Sequence, residues 1–206
     1  VCAHTDGNSL PTLLEDLERR GYRTGIISTA RITHATPAAT YAHTVERGWE
    51  ADTDVPEEAG CADIASQLID FGHGDGLDVV LGGGRSRFLP ESASDPEAPG
   101  RTGLRRDGRD LVGEWLAGAN RHYVWDQAGF DRLRAGNGQV LGLFEPSHMQ
   151  FEADRRGEPS IAEMTRFAID HLDDGDGYFL MVEGGRIDHA HHGSNAYRAL
   201  TDTIAF

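Results

Sequence analysis

Four short apolar runs constrain this chain more than any other feature: residues 24–29, centred on Ile26-Ile27, then 77–81, 139–144 and 177–182. The last three are followed at once by a polar residue or by glycines, and the first by a loop from Ala30 to Thr36. Before and between them lie stretches with the helical spacing of apolar residues, such as Leu10, Leu13, Leu14, Leu17 and later Ile64, Ala65, Leu68, Ile69. A further short strand is expected at 122–125, with helices at 37–44, 62–70, 110–118, 126–134, 159–172 and 195–206. Asn8-Ser9 before Leu10-Pro11 reads as the first helix start. Continuous apolar strands alternating with helices predict an α/β fold with a largely parallel sheet and helices on both faces.

In such sheets ligands sit beyond the carboxyl ends of the strands. The polar residues fall there repeatedly. His34 and Thr36 follow the first run, Gly82-Gly83-Gly84 the second, Glu145 a later one, and Glu183 closes the last. Residues 90–109 are rich in Pro, Gly and acids and read as an irregular excursion within a larger one spanning 85–158.

Composition narrows the function. The net charge is −15 over 206 residues, and all 19 basic residues are Arg. That balance excludes a nucleic-acid surface, which needs a basic patch. No run approaches the ~18 apolar residues of a membrane span. Val1 opens the chain and Phe206 falls inside an apolar periodic segment, so the chain is expected to be the central part of a longer domain. Cys2 and Cys61 are either a disulfide or two unrelated thiols; a bridge would add about 4 kcal/mol of chain-entropy stabilisation.

The densest chemistry is Glu183-Gly-Gly-Arg-Ile-Asp188-His189-Ala-His191-His192. Carboxylate and neutral imidazole are ordinary zinc ligands, and carboxylate also suits magnesium. Asp188 and His192 stand four apart and meet on one face of a helix, giving half a zinc site. Glu183, before two glycines, is either a ligand or a loop carboxylate capping a helix. Thr36 can ligate a hard cation, or it can cap a helix opened by Pro37. Arg47 is a fork for phosphate or one of many surface arginines.

Thr33-His34-Ala-Thr36-Pro37-Ala-Ala-Thr-Tyr41-Ala-His43-Thr44 with Arg47, then Leu81-Gly-Gly-Gly-Arg85, Gly142-Leu-Phe144-Glu145-Pro146, Val182-Glu183-Gly-Gly-Arg-Ile-Asp188-His189 and Ala196-Tyr-Arg-Ala-Leu-Thr201 together resemble the alkaline phosphatase family. The likeness runs through essentially the whole chain, in order. His34 and the Phe-Glu-Pro motif are closer to the animal-type branch than to the enteric type, where an Asp usually replaces that His.

The resemblance implies phosphate monoester hydrolysis by a zinc- and magnesium-dependent enzyme through a phosphoserine intermediate. It implies Thr36 and Glu183 on magnesium with His34 in support, and Asp188 and His192 on zinc. Arg47 would clamp phosphate, and His189 would touch substrate through water. A calcium site would use Glu97, the Phe144 carbonyl, Glu145 and Glu158, where the family usually has Asp. It also implies a Cys2–Cys61 disulfide, export to an oxidising compartment, small phosphomonoester substrates and a homodimer in the intact enzyme. The nucleophilic Ser and the remaining zinc ligands have no counterpart here; Ser9 and Ser28 sit in other contexts. Two rivals remain: a related metal-dependent phosphodiesterase or sulfatase, and a non-catalytic metal-binding remnant.

Overall fold

Strands that are apolar on both faces must be covered on both faces, and the expected runs pair accordingly. The computed structural model describes residues 4–5, 8–174 and 176–206, with backbone alone at 4, 5, 8 and 9. Five strands form one sheet: β3 (Arg23–Arg31), β4 (Val79–Gly83), β5 (Arg121–Val124), β6 (Gln139–Leu143) and β7 (Tyr178–Glu183). Their order is β5-β6-β4-β3-β7, and every pairing is parallel. Two tiny strands, β1 (His4–Thr5) and β2 (Asn8–Ser9), form a separate antiparallel pair.

That pair corrects the expected helix start at Asn8-Ser9. The first helix, α1 (Leu13–Arg19), begins after Thr12 instead. The Thr12 hydroxyl accepts from the Glu15 N–H at 3.1 Å, and the Glu15 carboxylate accepts from the Thr12 N–H at 3.0 Å. This reciprocal capping box satisfies two orphan donors, and nothing comparable was available to Asn8-Ser9 from pattern alone. The other helices are α2 (Ala35–Tyr41), α3 (Ile64–Ile69), α4 (Leu111–Leu116), α5 (Gln127–Phe130), α6 (Ile161–Leu172), α7 (Gly185–His192) and α8 (Ala196–Ala205). α5 is shorter than the expected 126–134. Its end tightens into three-residue turns, Arg132 N–H to the Gly129 carbonyl at 3.1 Å and Leu133 N–H to the Phe130 carbonyl at 3.0 Å. α6 is capped by Ser160 in a second capping box with Glu163, so Pro159 lies just outside it.

Alternation along the strands splits the core into two layers. Ile26, Val80, Leu141 and Leu143 face one side, against Leu14 of α1, Tyr41 of α2, Ile64 and Leu68 of α3 and Trp115 of α4. Ile27, Val79, Leu81 and Val140 face the other, against Phe130 of α5 and Met164, Ala168 and Leu172 of α6. Neighbouring residues on one strand thus bury against different helices, as a doubly covered sheet requires. Burying each such side chain stabilises by roughly 1.5–3 kcal/mol.

Within 85–158, α4, β5, α5 and β6 are regular, and β5 and β6 complete the sheet. The irregular backbone is 89–109, crossed by the isolated bridges Pro90–Arg105 and Ser94–Thr102. Two fully buried guanidiniums organise it. Arg105 donates to both oxygens of Asp63 at 2.9 and 3.0 Å, and Arg85 to both oxygens of Asp95 at 2.9 Å.

The triple glycine closes the sheet edge. A Cβ at Gly83 would lie 2.2 Å from the Ser147 carbonyl oxygen, and Gly84 takes the left-handed φ of +102°. The Gly84 N–H donates to the carbonyls of Glu145 and Ser147 at 3.0 and 2.7 Å. These glycines let the loop after β6 fold back over the strand ends. Among the described residues no helix is long and apolar enough to cross a membrane. No free cysteine occurs among the described residues. Cys2 lies outside them.

Candidate metal and phosphate site

The register of β3 and β7 sets the site's floor. Ser28 pairs with Glu183, so both side chains leave the sheet on the same face. The Ser28 hydroxyl donates to Glu183 Oε2 at 2.5 Å and accepts from the Ala30 N–H at 2.9 Å. Ser28 is fully buried and committed to Glu183. Glu183 therefore does not cap a helix; no side chain caps α7. A Cβ at Gly185 would sit 2.8 Å from Ala30 Cβ, so α7 starts tight against β3. The Arg186 N–H is satisfied by Thr29 Oγ1 at 3.1 Å.

That start angle fixes where α7 presents its residues. Asp188 and His192 stand one turn apart on the exposed face, Asp188 Oδ2 3.5 Å from His192 Nε2, with 70% and 79% of their side chains accessible. His189 points the other way, toward His34 and His148. The ring centroids of His189 and His148 are 4.1 Å apart, those of His189 and His34 5.5 Å, and those of His34 and His148 5.3 Å. One ligand nitrogen from each of the three lies within 4.8 Å of the others.

His34, not Thr36, is the residue that caps α2, and its side chain makes no capping hydrogen bond. Thr36 instead stands exposed in the first turn. His34 Nε2 lies 3.2 Å from the Arg47 guanidinium, while its Nδ1 is buried without a partner. Arg47 is exposed and forms none of the ion pairs found among the described residues.

Each of the three imidazoles receives a guanidinium: Arg47 on His34, Arg31 on His148, and Arg186 on His189 at 3.1 Å. Burial lowers the pKa of His34, with Arg31 and Arg47 adding to it. Burial also lowers His189, with Arg186 and His34 adding. Burial pushes His148 down to about 2, with Arg31 and the other imidazoles adding. All three rings are therefore neutral near pH 7. Arg31 is neutralised by Glu50, at 2.5 and 2.7 Å, and Glu50 also accepts from Thr33 Oγ1 at 2.5 Å. Arg47 and Arg186 carry no such partner among the described residues. Neutral rings ringed by guanidiniums suit an anion better than a further cation.

A second cluster lies under the loop after β6. Glu158 is 1% exposed; its Oε1 accepts from the Gln150 N–H at 2.7 Å and its Oε2 is buried with no partner. Burial pushes its carboxyl up to about 8, with Glu145 and Glu97 adding to it. Burial raises Glu145 too, and Glu97 and Asp95 add. Gln150 Nε2 donates to Glu145 at 2.8 Å, and Arg85 donates to Glu97 at 2.8 Å. Phe144 immediately follows β6 and precedes Glu145. Glu97 and Glu145 thus lie near enough to raise the Glu158 carboxyl, whose buried Oε2 has no partner among the described residues.

The alkaline phosphatase family profile matches residues 1–206. An alkaline phosphatase of Gadus morhua is 40% identical over 213 residues, covering 97% of this chain.

The chain belongs to the alkaline phosphatase family.

It spans 44% of the length of the Gadus morhua protein. The crystal structure of Thermus thermophilus alkaline phosphatase aligns with all of this chain and 38% of its own, at 32% identity and a TM-score of 0.76. A histidine-to-glutamate variant of the alkaline phosphatase of the Antarctic bacterium TAB5, with magnesium bound in its M3 site, covers 99% of this chain and 50% of its own, at 25% identity and a TM-score of 0.69.

Sequence reasoning missed Ser28, Arg31, Glu50 and His148. The signal for Ser28 was its parallel position to Glu183, which needs the register. His148 follows Glu145-Pro146-Ser147 in a loop, and only the glycine-permitted fold-back brings it to His34.

Proposed function

We propose that the chain is the central part of a catalytic domain that hydrolyses phosphate monoesters. Arg47 carries this reading. It is an exposed guanidinium outside any ion pair among the described residues, 3.2 Å from the neutral imidazole of His34. A guanidinium held this way forks two non-bridging phosphate oxygens. His34 orients it by accepting one of its N–H groups. His189 faces the same space and donates to phosphate through water.

The donor set fits the metals the family implies. Asp188 and His192 supply two exposed zinc ligands on one helix face. Ser28 takes one Glu183 oxygen and leaves the other for magnesium with Thr36. The orphaned Glu158 oxygen, with Glu145 and Glu97 nearby, fits calcium. Bound there, zinc and magnesium supply Lewis-acid stabilisation of the oxygens around phosphorus.

In this reading the attacking serine comes from sequence outside these 206 residues; Ser28 is buried, donates to Glu183 and does not serve. In the parent enzyme a Ser O–P bond forms in line as the alcohol leaves, and water then releases phosphate. Arg47 holds the equatorial oxygens in both steps. A Cys2–Cys61 disulfide, export and dimerisation belong to the same reading.

The test uses the full-length parent. Turnover of p-nitrophenyl phosphate, lost on chelation and restored by zinc with magnesium, is the expected result. Diester turnover exceeding monoester turnover would assign a phosphodiesterase. Absence of both with metals restored would leave a metal-binding remnant.

A further inference from the structure

Arg186 is the guanidinium that the proposed chemistry leaves unexplained. Its carbon lies 3.6 Å from the centroid of the Phe151 ring, and its Nε is buried without a partner. It forms none of the ion pairs found among the described residues. Burial lowers its pKa; Asp202, Glu158 and Asp154 oppose that at longer range and Arg198 reinforces it. A half-buried guanidinium normally takes a carboxylate, since desolvating the charge is costly. Arg198 stacks on the same ring at 4.5 Å but does pair, with Asp154 at 2.7 Å. Arg186 instead sends NH1 to His189 Nδ1 at 3.1 Å.

A guanidinium has donors only, so the contact is a hydrogen bond only if Nδ1 is unprotonated. A neutral imidazole then carries its proton on Nε2. The tautomer is assigned here from the hydrogen-bond network. His148 and His34 pack against the His189 ring and limit its rotation.

We propose that Arg186 is a positioning residue: clamped on Phe151, it fixes His189 in the Nε2–H tautomer and so keeps a donor aimed at the phosphate. This rests on the reading of His189 as a phosphate-facing group. The guanidinium stack supplies rigidity, since a flat cation on an aromatic face loses little freedom on making its bond. The rival is a purely structural Arg that ties the loop carrying Phe151 to α7.

The experiment compares the full-length holoenzyme with Arg186→Met, Arg186→Lys and Phe151→Leu. Imidazole 15N shifts, assigned by the signals that His189→Asn removes, report the tautomer. Wild type should show protonated Nε2 and bare Nδ1, and Arg186→Met a mixture of both tautomers. Its KM for p-nitrophenyl phosphate should rise about tenfold, at the low end for partners that orient a site imidazole, with kcat changed less. Arg186→Lys keeps a donor and should recover most of the loss. If Arg186→Met does not fold, Phe151→Leu should give a smaller shift in the same direction. A lowered Tm with unchanged tautomer and KM would overturn the proposal in favour of the structural role. If His189→Asn leaves KM and phosphate inhibition unchanged, the phosphate-facing role of His189 is wrong, while the 15N shifts still decide the Arg186 contact.

Discussion

The two ends of the sheet are both polar, yet they satisfy their polar groups to different degrees. At the amino end a cavity of about 630 Å³ is lined by Arg23, Asp78, Arg121 and Gln139 among others. There these side chains meet hydrogen-bond partners, although Arg121 meets an amide and not an acid. Arg23 Nε donates to Asp78 at 3.0 Å, Asp78 also accepts from the Thr24 N–H at 2.8 Å, and Arg121 donates to Gln139 at 2.7 Å. At the carboxyl end, among the described residues, Arg47 pairs with no acid and His34 Nδ1 and Glu158 Oε2 have no partner, while Asp188 and His192 are exposed. The cavity at the amino end is therefore less informative than the unpartnered groups at the carboxyl end. Unspent hydrogen-bonding capacity marks a site better than volume does.

That contrast breaks most easily at α7. Asp188→Asn in the full-length enzyme should lower kcat/KM by more than about a hundredfold, because a ligand outweighs the supporting partners whose loss costs about 10–100-fold. A loss under tenfold would remove Asp188 from the metal site.

The orphaned oxygen of Glu158 offers the next test. Calcium at about a hundredfold over its Kd should stabilise the parent by about 2.7 kcal/mol, and thermal unfolding of Glu158→Gln should show no such gain. Equal calcium response in both would mean that the acids gathered there bind none.

The amino end has one exception to its pairing. Glu18 is 1% exposed, with Oε2 lacking a partner, and burial pushes its carboxyl up to about 7. Thr24 donates to its other oxygen, and Asp78 and Asp75 add to the rise. A folded pKa above the unfolded one stabilises fully below the ordinary carboxylate range, and that stability is lost as pH rises through about 7. Glu18→Gln should match wild type near pH 4 and be more stable at pH 9 by on the order of 2 kcal/mol, roughly 5 °C in Tm. A constant difference across pH would deny the shift. The smallest effect belongs to Arg121→Gln, which should change kcat/KM less than twofold; a larger loss would bring the amino end into the chemistry.

Much of this was legible in the sequence because it is local. Continuous apolar runs mark the parallel strands, and the spacing of Asp188 and His192 places them on one helix face before any fold is known. Thr12 and His34 were not legible as caps, because a cap depends on where the backbone turns and not on residue type alone. Ser28 and His148 escaped for a different reason. One meets Glu183 only through strand register, and the other reaches His34 only because Gly83 allows a backbone approach that a Cβ would block and Gly84 takes a left-handed φ.

Inorganic phosphate inhibition of full-length Arg47→Ala tests the central claim, that the carboxyl edge holds a phosphate clamp, most directly. The inhibition constant should rise about a hundredfold, the cost of removing a preorganised donor from a developing anion. An unchanged constant would contradict the account.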